Sequence, residues 1–183
     1  CLNDMGSGKT ISTLWAFDYL RQKGKVQRAM IVAPLSTLER AWGDEVFKHF
    51  PHVNYAVVHG SREKRLRMLK DKSFDLYIIN HDGMKMADIV SEMAVMDDIN
   101  LIVIDELAVF RNASTDLWRA ANAICNKQRP GTVRRVWGLT GTPTPNAPTD
   151  AYAQVKLLTP EKIQFGFGRF KDKVMMQISQ YVW

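Results

Sequence analysis

At 183 residues with 46% hydrophobic side chains, the chain is long enough for one ordinary domain with a packed core. Its two cysteines, Cys1 and Cys125, form neither a disulfide framework nor a zinc spacing, and the formal charge of +6 suits a polyanionic partner without specifying one. No apolar run approaches the roughly 20 residues that span a bilayer, and the N-terminus has no signal-peptide layout, so a soluble, intracellular protein with no membrane association is expected.

The first element is the run Met5-Gly6-Ser7-Gly8-Lys9-Thr10. Small residues there let backbone N–H groups turn inward around phosphate oxygens, Lys9 can reach the outer phosphates, and the Thr10 hydroxyl can ligate magnesium. The strict pattern G-x-x-x-x-G-K-[ST] fails at its first position, where Asn3 stands, and taken alone these residues also make a flexible Gly/Ser turn. A phosphate loop needs a strand feeding into it, and only two residues precede Asn3. The sequence is therefore expected to be a fragment that lacks this N-terminal strand and any upstream base-recognition segment.

A helix is predicted from Thr10 to about Gln22, ended near Gly24, then a buried strand from Arg28 to Ala33 that Pro34 stops. Ser36-Thr37-Leu38-Glu39 is a capping-box sequence, which predicts one helix from Ser36 toward Phe50 with Leu38, Trp42, Val46 and Phe50 on its core face. His49 and His52 within and after it lack any carboxylate or cysteine pattern and read as surface or capping residues. Val53 to Val58 is a second strand. The segment after Gly60 carries six cations, among them Arg62, Lys64, Arg65 and Arg67, against two anions over Arg62 to Lys72, and reads as a basic helix, either a solvated face or a phosphate track.

Phe74 to Ile79 is a third strand, and Asp82 to about Met96 is mostly helical. The run Leu101-Ile102-Val103-Ile104 reads as a strand buried on both faces, ending in Asp105-Glu106 at the sheet edge where open α/β sheets bind ligands. A helix follows from Thr115 to about Lys127, then a fifth strand from Val133 to Leu139. Thr140-Gly141-Thr142-Pro143 closes that strand, and a helix from Asn146 to Leu158 is stopped by Thr159-Pro160. The tail from Glu161 is the least legible part; its Phe165-Gly166-Phe167-Gly168 and Met175-Met176 suit either a docking surface or a partly ordered end. This alternation gives an α/β fold, a mostly parallel sheet with helices on both faces.

A phosphate loop, Val32-Ala33-Pro34-Leu35, Asp105-Glu106 followed by Phe110-Arg111-Asn112, and Leu139-Thr140-Gly141-Thr142-Pro143, in this order, resemble the first motor lobe of superfamily 2 helicases and translocases. The resemblance is nearest to the Snf-like branch and its phage-encoded DEAD/DEAH-box relatives, and it covers about residues 2 to 160. It implies a RecA-like P-loop NTPase lobe over residues 1–160, with 161–183 leading toward a second RecA-like lobe. The implied cofactors are ATP and Mg²⁺, and the implied partner is nucleic acid, double-stranded DNA before RNA.

By the family pattern Met5 to Thr10 together with Thr140, Gly141 and Thr142 bind the nucleotide, Lys9 contacts the β and γ phosphates, Thr10 and Asp105 hold magnesium, and Glu106 orients or deprotonates water. Pro34, Leu35 and Ser36 would touch the nucleic-acid backbone, joined by Arg62, Arg65 and Arg67 of the basic helix. In the resemblance Leu107 and Ala108 stand where many relatives carry Ala-His, which removes a histidine that links ATP state to the Thr-Gly-Thr turn. The implied activity is that of an ATP hydrolase driving a DNA translocase or helicase-like motor, poorly active as an isolated lobe, in the cytoplasm of the cell or, for a phage gene, of the host. Two other readings stay open: a nucleotide-gated nucleic-acid-binding accessory lobe without turnover, and a P-loop kinase, for which no compact lid segment stands out.

Overall fold

A computed structural model describes residues 1–4, 6–126 and 133–176. Five strands, β1 (Arg28–Ala33), β2 (Tyr55–Val58), β3 (Leu76–Asn80), β4 (Ile99–Asp105) and β5 (Arg135–Leu139), form one sheet in the order β2-β3-β1-β4-β5. Every pairing is parallel.

Successive strand residues point to opposite faces, so a strand buried on both sides needs apolar groups at every position. In β1, β3 and β4, Met30, Val32, Tyr77, Ile79, Ile102 and Ile104 pack into one core, while Ala29, Ile31, Leu76, Ile78, Leu101 and Val103 pack into the other. The second core is closed by α1 (Lys9–Gln22), through Leu14 and Phe17, and by the helical segment through Leu38, Trp42, Val46 and Phe50. The first is closed by α3 (Arg62–Lys70), α4 (Ala87–Val95), α5 (Asp116–Asn126) and α6 (Ala151–Leu158), through Leu69, Ile89, Met93, Trp118, Ile124 and Leu157. Each large side chain so buried contributes roughly 1.5–3 kcal/mol. No helix among the described residues is long and apolar enough to cross a membrane.

The single helix expected from Ser36 to Phe50 is instead three pieces: a 3₁₀ turn over Leu35–Thr37, a π-helical turn over Leu38–Gly43, and α2 (Asp44–His49). The capping box does not form. Thr37 donates both its N–H and its hydroxyl to the Pro34 carbonyl, at 3.0 and 2.9 Å, which tightens the first turn in place of a Ser36 cap. The Asp44 N–H then reaches back five residues to the Glu39 carbonyl, the wider π register. Leu38, Trp42, Val46 and Phe50 are nevertheless all buried, as their spacing predicts.

Other differences are smaller. The helix placed between Asp82 and Met96 is broken at the extended Met86, leaving a 3₁₀ turn over His81–Lys85 before α4. The helix expected from Asn146 begins as a 3₁₀ turn at Pro148–Asp150, and the expected end of α5 at Lys127 lies outside the described residues. In the tail, α7 (Phe167–Val174) carries Phe167 and Phe170, whose rings each lie 5.4 Å from Tyr152.

Arg134 is one of two buried arginines among the described residues. Its guanidinium donates to the carbonyls of Met96 (2.8 Å), Ile99 (3.1 Å) and Ile124, tying the C-terminal ends of α4 and α5 to the start of β4. Helix ends leave carbonyls without internal donors, and a fork of five N–H groups supplies them. Burial lowers the Arg134 pKa, and the same burial pushes the neighbouring Cys125 thiol up to about 12.

Candidate active site at the C-terminal sheet edge

Gly8 caps α1 in the left-handed region (φ 78°) and Gly6 takes φ 76°, conformations that a side chain resists. The chain therefore turns so that the N-terminus of a 14-residue helix, with no acid in its first turn, faces the loop. That end carries free N–H groups and the positive end of the helix dipole. Lys9 folds back, its ammonium donating to the carbonyls of Asn3 (2.7 Å) and Asp4 (2.8 Å). A cleft of about 300 Å³ opens beside the loop, lined by Gly6, Gly8, Lys9, Thr10, Ile11, Ala41 and Glu45. Met5 lies outside the described residues.

The loop leaves the sheet beside β5. Leu2 bridges Thr140 in parallel, Thr140 donates its N–H to the Cys1 carbonyl (3.1 Å), and Leu139 lies in register with Asp105. With strands about 4.8 Å apart, the start of the loop, the Thr140 turn and the Asp105-Glu106 pair emerge side by side at one edge. Thr140 is fully buried, with its hydroxyl accepting from the Thr142 N–H (3.3 Å). The buried Gln154 side chain donates to the Pro143 and Asp150 carbonyls, so α6 holds the far side of the same turn.

Asp105 is held at three points. Its Oδ2 accepts from the Trp42 indole N–H (3.1 Å), its Oδ1 from the Glu106 N–H (3.1 Å), and its carbonyl from His81 Nε2–H (2.9 Å). Glu106 has φ 53° and ψ 53°, the one non-glycine residue with positive φ among the described residues. For a residue with a Cβ this costs roughly 1–2 kcal/mol, strain of the kind found at functional sites. His81 lies edge-on to Phe110, with ring centroids 5.4 Å apart at 89°. Burial pushes its imidazole below the ordinary value, against the opposing pull of the Asp105 carbonyl and the carboxylates of Asp105, Asp82 and Glu106.

The expected nucleic-acid residues separate. Leu35 and Ser36 are exposed and Pro34 half-buried, in the 3₁₀ turn at the end of β1 rather than at an α-helix N-terminus. Arg65 corrects the reading of a phosphate track: it is only 8% exposed, and its guanidinium donates to the Gly60 carbonyl (3.0 Å), the Val58 carbonyl (3.3 Å) and Asn80 Oδ1 (2.9 Å). It passes so close to Gly83 that a Cβ there would lie 2.7 Å from Nη1. Arg62 is paired with Asp88 (2.5 Å), while Lys64 and Arg67 remain exposed on α3.

Sequence reasoning placed Trp42 in the core and passed over His81, Asn80 and Gln154. Trp42 satisfied an apolar stripe, which hides a polar N–H aimed elsewhere. His81 immediately follows a buried strand on the edge that carries the acids, a positional signal that could have singled it out. His52 pairs with the buried Asp18 (2.8 Å) and His49 with Glu45 (3.6 Å).

The family model of the SNF2-related domain matches residues 2–181. The chain is 28% identical over 154 residues to putative protein p41 of Acyrthosiphon pisum secondary endosymbiont phage 1, covering 82% of this chain and 33% of the relative. It is 28% identical over 166 residues to the ISWI chromatin-remodeling complex ATPase ISW1 of Saccharomyces cerevisiae, covering 87% of this chain and 14% of that protein. Its structure is similar to the Sulfolobus solfataricus SWI2/SNF2 ATPase core in complex with dsDNA, with TM-score 0.75, 25% identity, and 94% of this chain and 33% of that one covered. The chain thus spans a third or less of these relatives, and with the glycine loop, the Asp-Glu turn and the Thr-Gly-Thr turn at one sheet edge it belongs to the SNF2-related domain family.

Proposed function

We propose that residues 1–160 are the ATP-binding lobe of an ATP-dependent DNA translocase or helicase-like motor, with 161–183 leading toward a second RecA-like lobe. The observation that carries this reading is the parallel Leu2–Thr140 bridge beside the paired ends of β4 and β5, which brings the start of the loop, Thr140 and Asp105-Glu106 side by side. Family membership supports ATP use and a nucleic-acid partner, and the similar archaeal ATPase core was solved with dsDNA.

In this reading the α1 N-terminus and the Lys9 ammonium, which here donates to the Asn3 and Asp4 carbonyls, would hold the nucleotide's outer phosphates. The Thr10 hydroxyl and the Asp105 carboxylate are hard oxygen donors of the kind magnesium accepts, and the remaining ligands would come from phosphates and water. Magnesium held there would supply charge neutralisation for phosphoryl transfer. Glu106 faces the attacking water as orienter or base, and the pinned Thr140 to Thr142 turn lies one strand away to register the phosphate. The Pro34-Leu35-Ser36 turn, exposed at Leu35 and Ser36, and Arg67 meet the nucleic-acid backbone, which carries charge but little sequence information.

The test is the ATPase rate with and without duplex DNA, alongside Glu106→Gln. Turnover raised by DNA and lost in the variant supports the motor. Magnesium-dependent nucleotide binding with no turnover under either condition favours a nucleotide-gated clamp, and phosphate transfer to a small acceptor favours a kinase.

A further inference from the structure

We infer that His81 is a positioning residue for the Asp105-Glu106 turn, fixing the peptide plane that aims Glu106. This rests on the reading of Glu106 as the group that faces the attacking water.

The geometry is specific. β3 and β4 are not neighbours, since β1 lies between them, yet His81, the first residue past β3, reaches across the end of β1 to the carbonyl at the end of β4. That carbonyl belongs to the peptide joining Asp105 to Glu106. The orientation of this peptide relative to the Glu106 Cα sets φ of Glu106, the strained angle of 53°. A donor on the carbonyl therefore resists the flip that would relax Glu106 to negative φ and break its N–H bond to Asp105 Oδ1. The same imidazole packs edge-on against the fully buried Phe110, which closes the 3₁₀ turn after Glu106, so both flanks of the turn are held by one side chain.

His81 is itself anchored. Asn80, its neighbour, is buried and accepts from the Arg65 guanidinium, which also clamps the Val58 and Gly60 carbonyls at the end of β2. The histidine thus joins the edge that carries α3 to the Asp-Glu turn.

Two variants separate the donor from the ring. His81→Phe keeps an aromatic ring for Phe110 but cannot donate, whereas His81→Gln places an amide N–H near the position of Nε2. Amide hydrogen exchange at Glu106, read by NMR on the whole chain, reports the turn without requiring turnover. Expected for His81→Phe is at least tenfold faster exchange at Glu106, with magnesium-ATP affinity within about twofold of wild type and, where turnover is measurable, kcat lower by about tenfold, the rate equivalent of one hydrogen bond. His81→Gln should restore protection and kcat. Unchanged Glu106 exchange in His81→Phe, or equal impairment in His81→Gln, overturns the assignment. Failure of the broader reading looks different: Glu106→Gln would then leave hydrolysis intact while the exchange result at His81 stood.

Discussion

The indole N–H of Trp42 donates to Oδ2 of Asp105 at 3.1 Å, joining a fully buried core residue to the acid at the end of β4. Trp42 sits in the π turn that follows the exposed Leu35–Thr37 turn, so one short segment carries a surface turn at one end and a hydrogen bond to the acid at the other. An anionic acceptor makes this bond stronger than a neutral one. With Asp105 Oδ1 taken by the Glu106 N–H, the carboxylate has little freedom to rotate.

Trp42→Phe keeps a ring in the core and removes the donor. The expected result is a fold retained at a cost of about 1–3 kcal/mol for lost volume, with magnesium-dependent ATP affinity reduced by about 3- to 10-fold as the carboxylate rotates. Titration of a fluorescent ATP analogue at several magnesium concentrations checks it. A magnesium dependence identical to wild type would mean that Asp105 is positioned without the indole.

Lys9→Ala removes the side-chain ammonium that follows Gly8. Because Lys9 bonds two carbonyls at an exposed site, its loss should change stability by no more than about 0.5 kcal/mol. Nucleotide affinity should fall by about tenfold or more, the worth of a charge-assisted bond to phosphate. Equal affinity in both proteins, with wild-type binding measurable, would remove the lysine from the site.

The strain at Glu106 separates stability from activity. Glu106→Gly relieves the positive φ, although the freer unfolded chain offsets part of the gain, so thermal unfolding should show a protein up to about 1 kcal/mol more stable. Glu106→Gln keeps the strain and should match wild-type stability. Both should lose hydrolysis, because neither can accept a proton from water. A Glu106→Gly protein clearly less stable than wild type would show that the side chain makes contacts outweighing its backbone cost.

Much of the fold was legible because burial on both faces of a parallel sheet demands uninterrupted apolar runs, and β1 lies at Arg28–Ala33 as the sequence predicts. The turn at Gly6 and Gly8 and the position of Asp105 at the end of β4 were legible because glycines and the end of an apolar run are written locally. Arg65 and Ser36 were misread for the converse reason. Whether an arginine on a basic helix faces water or the carbonyls of a neighbouring strand end depends on Asn80 and Gly83, which lie 15 and 18 positions away in sequence. The π turn likewise carries Trp42, whose indole bonds Asp105 63 positions away, a partner that no local pattern encodes.

The arginines of α3 should divide by role. Arg65→Ala strips partners from Asn80 Oδ1 and two carbonyls, so it should cost about 2–4 kcal/mol in chemical denaturation. Arg67→Ala should leave stability within about 0.5 kcal/mol. For duplex DNA across a salt series, Arg67→Ala should lower the slope of log affinity against log salt by up to about 0.9. An unchanged slope would return α3 to a solvated face.

Acid should destabilise the fold partly through His81. Its folded pKa lies below the ordinary 6.5, chiefly because burial disfavours the imidazolium, so in the window between the two the unfolded chain holds more protons. Stability then rises with pH across that window; the contribution is fully present above about pH 6.5 and is lost as pH falls toward the folded pKa. His81→Gln cannot titrate and still donates to the Asp105 carbonyl. Chemical denaturation of both proteins from neutral pH downward should therefore show a shallower loss of stability in the variant below about pH 6.5 and parallel behaviour above it. Identical profiles throughout would mean that His81 takes up its proton in the folded protein as readily as in the unfolded chain.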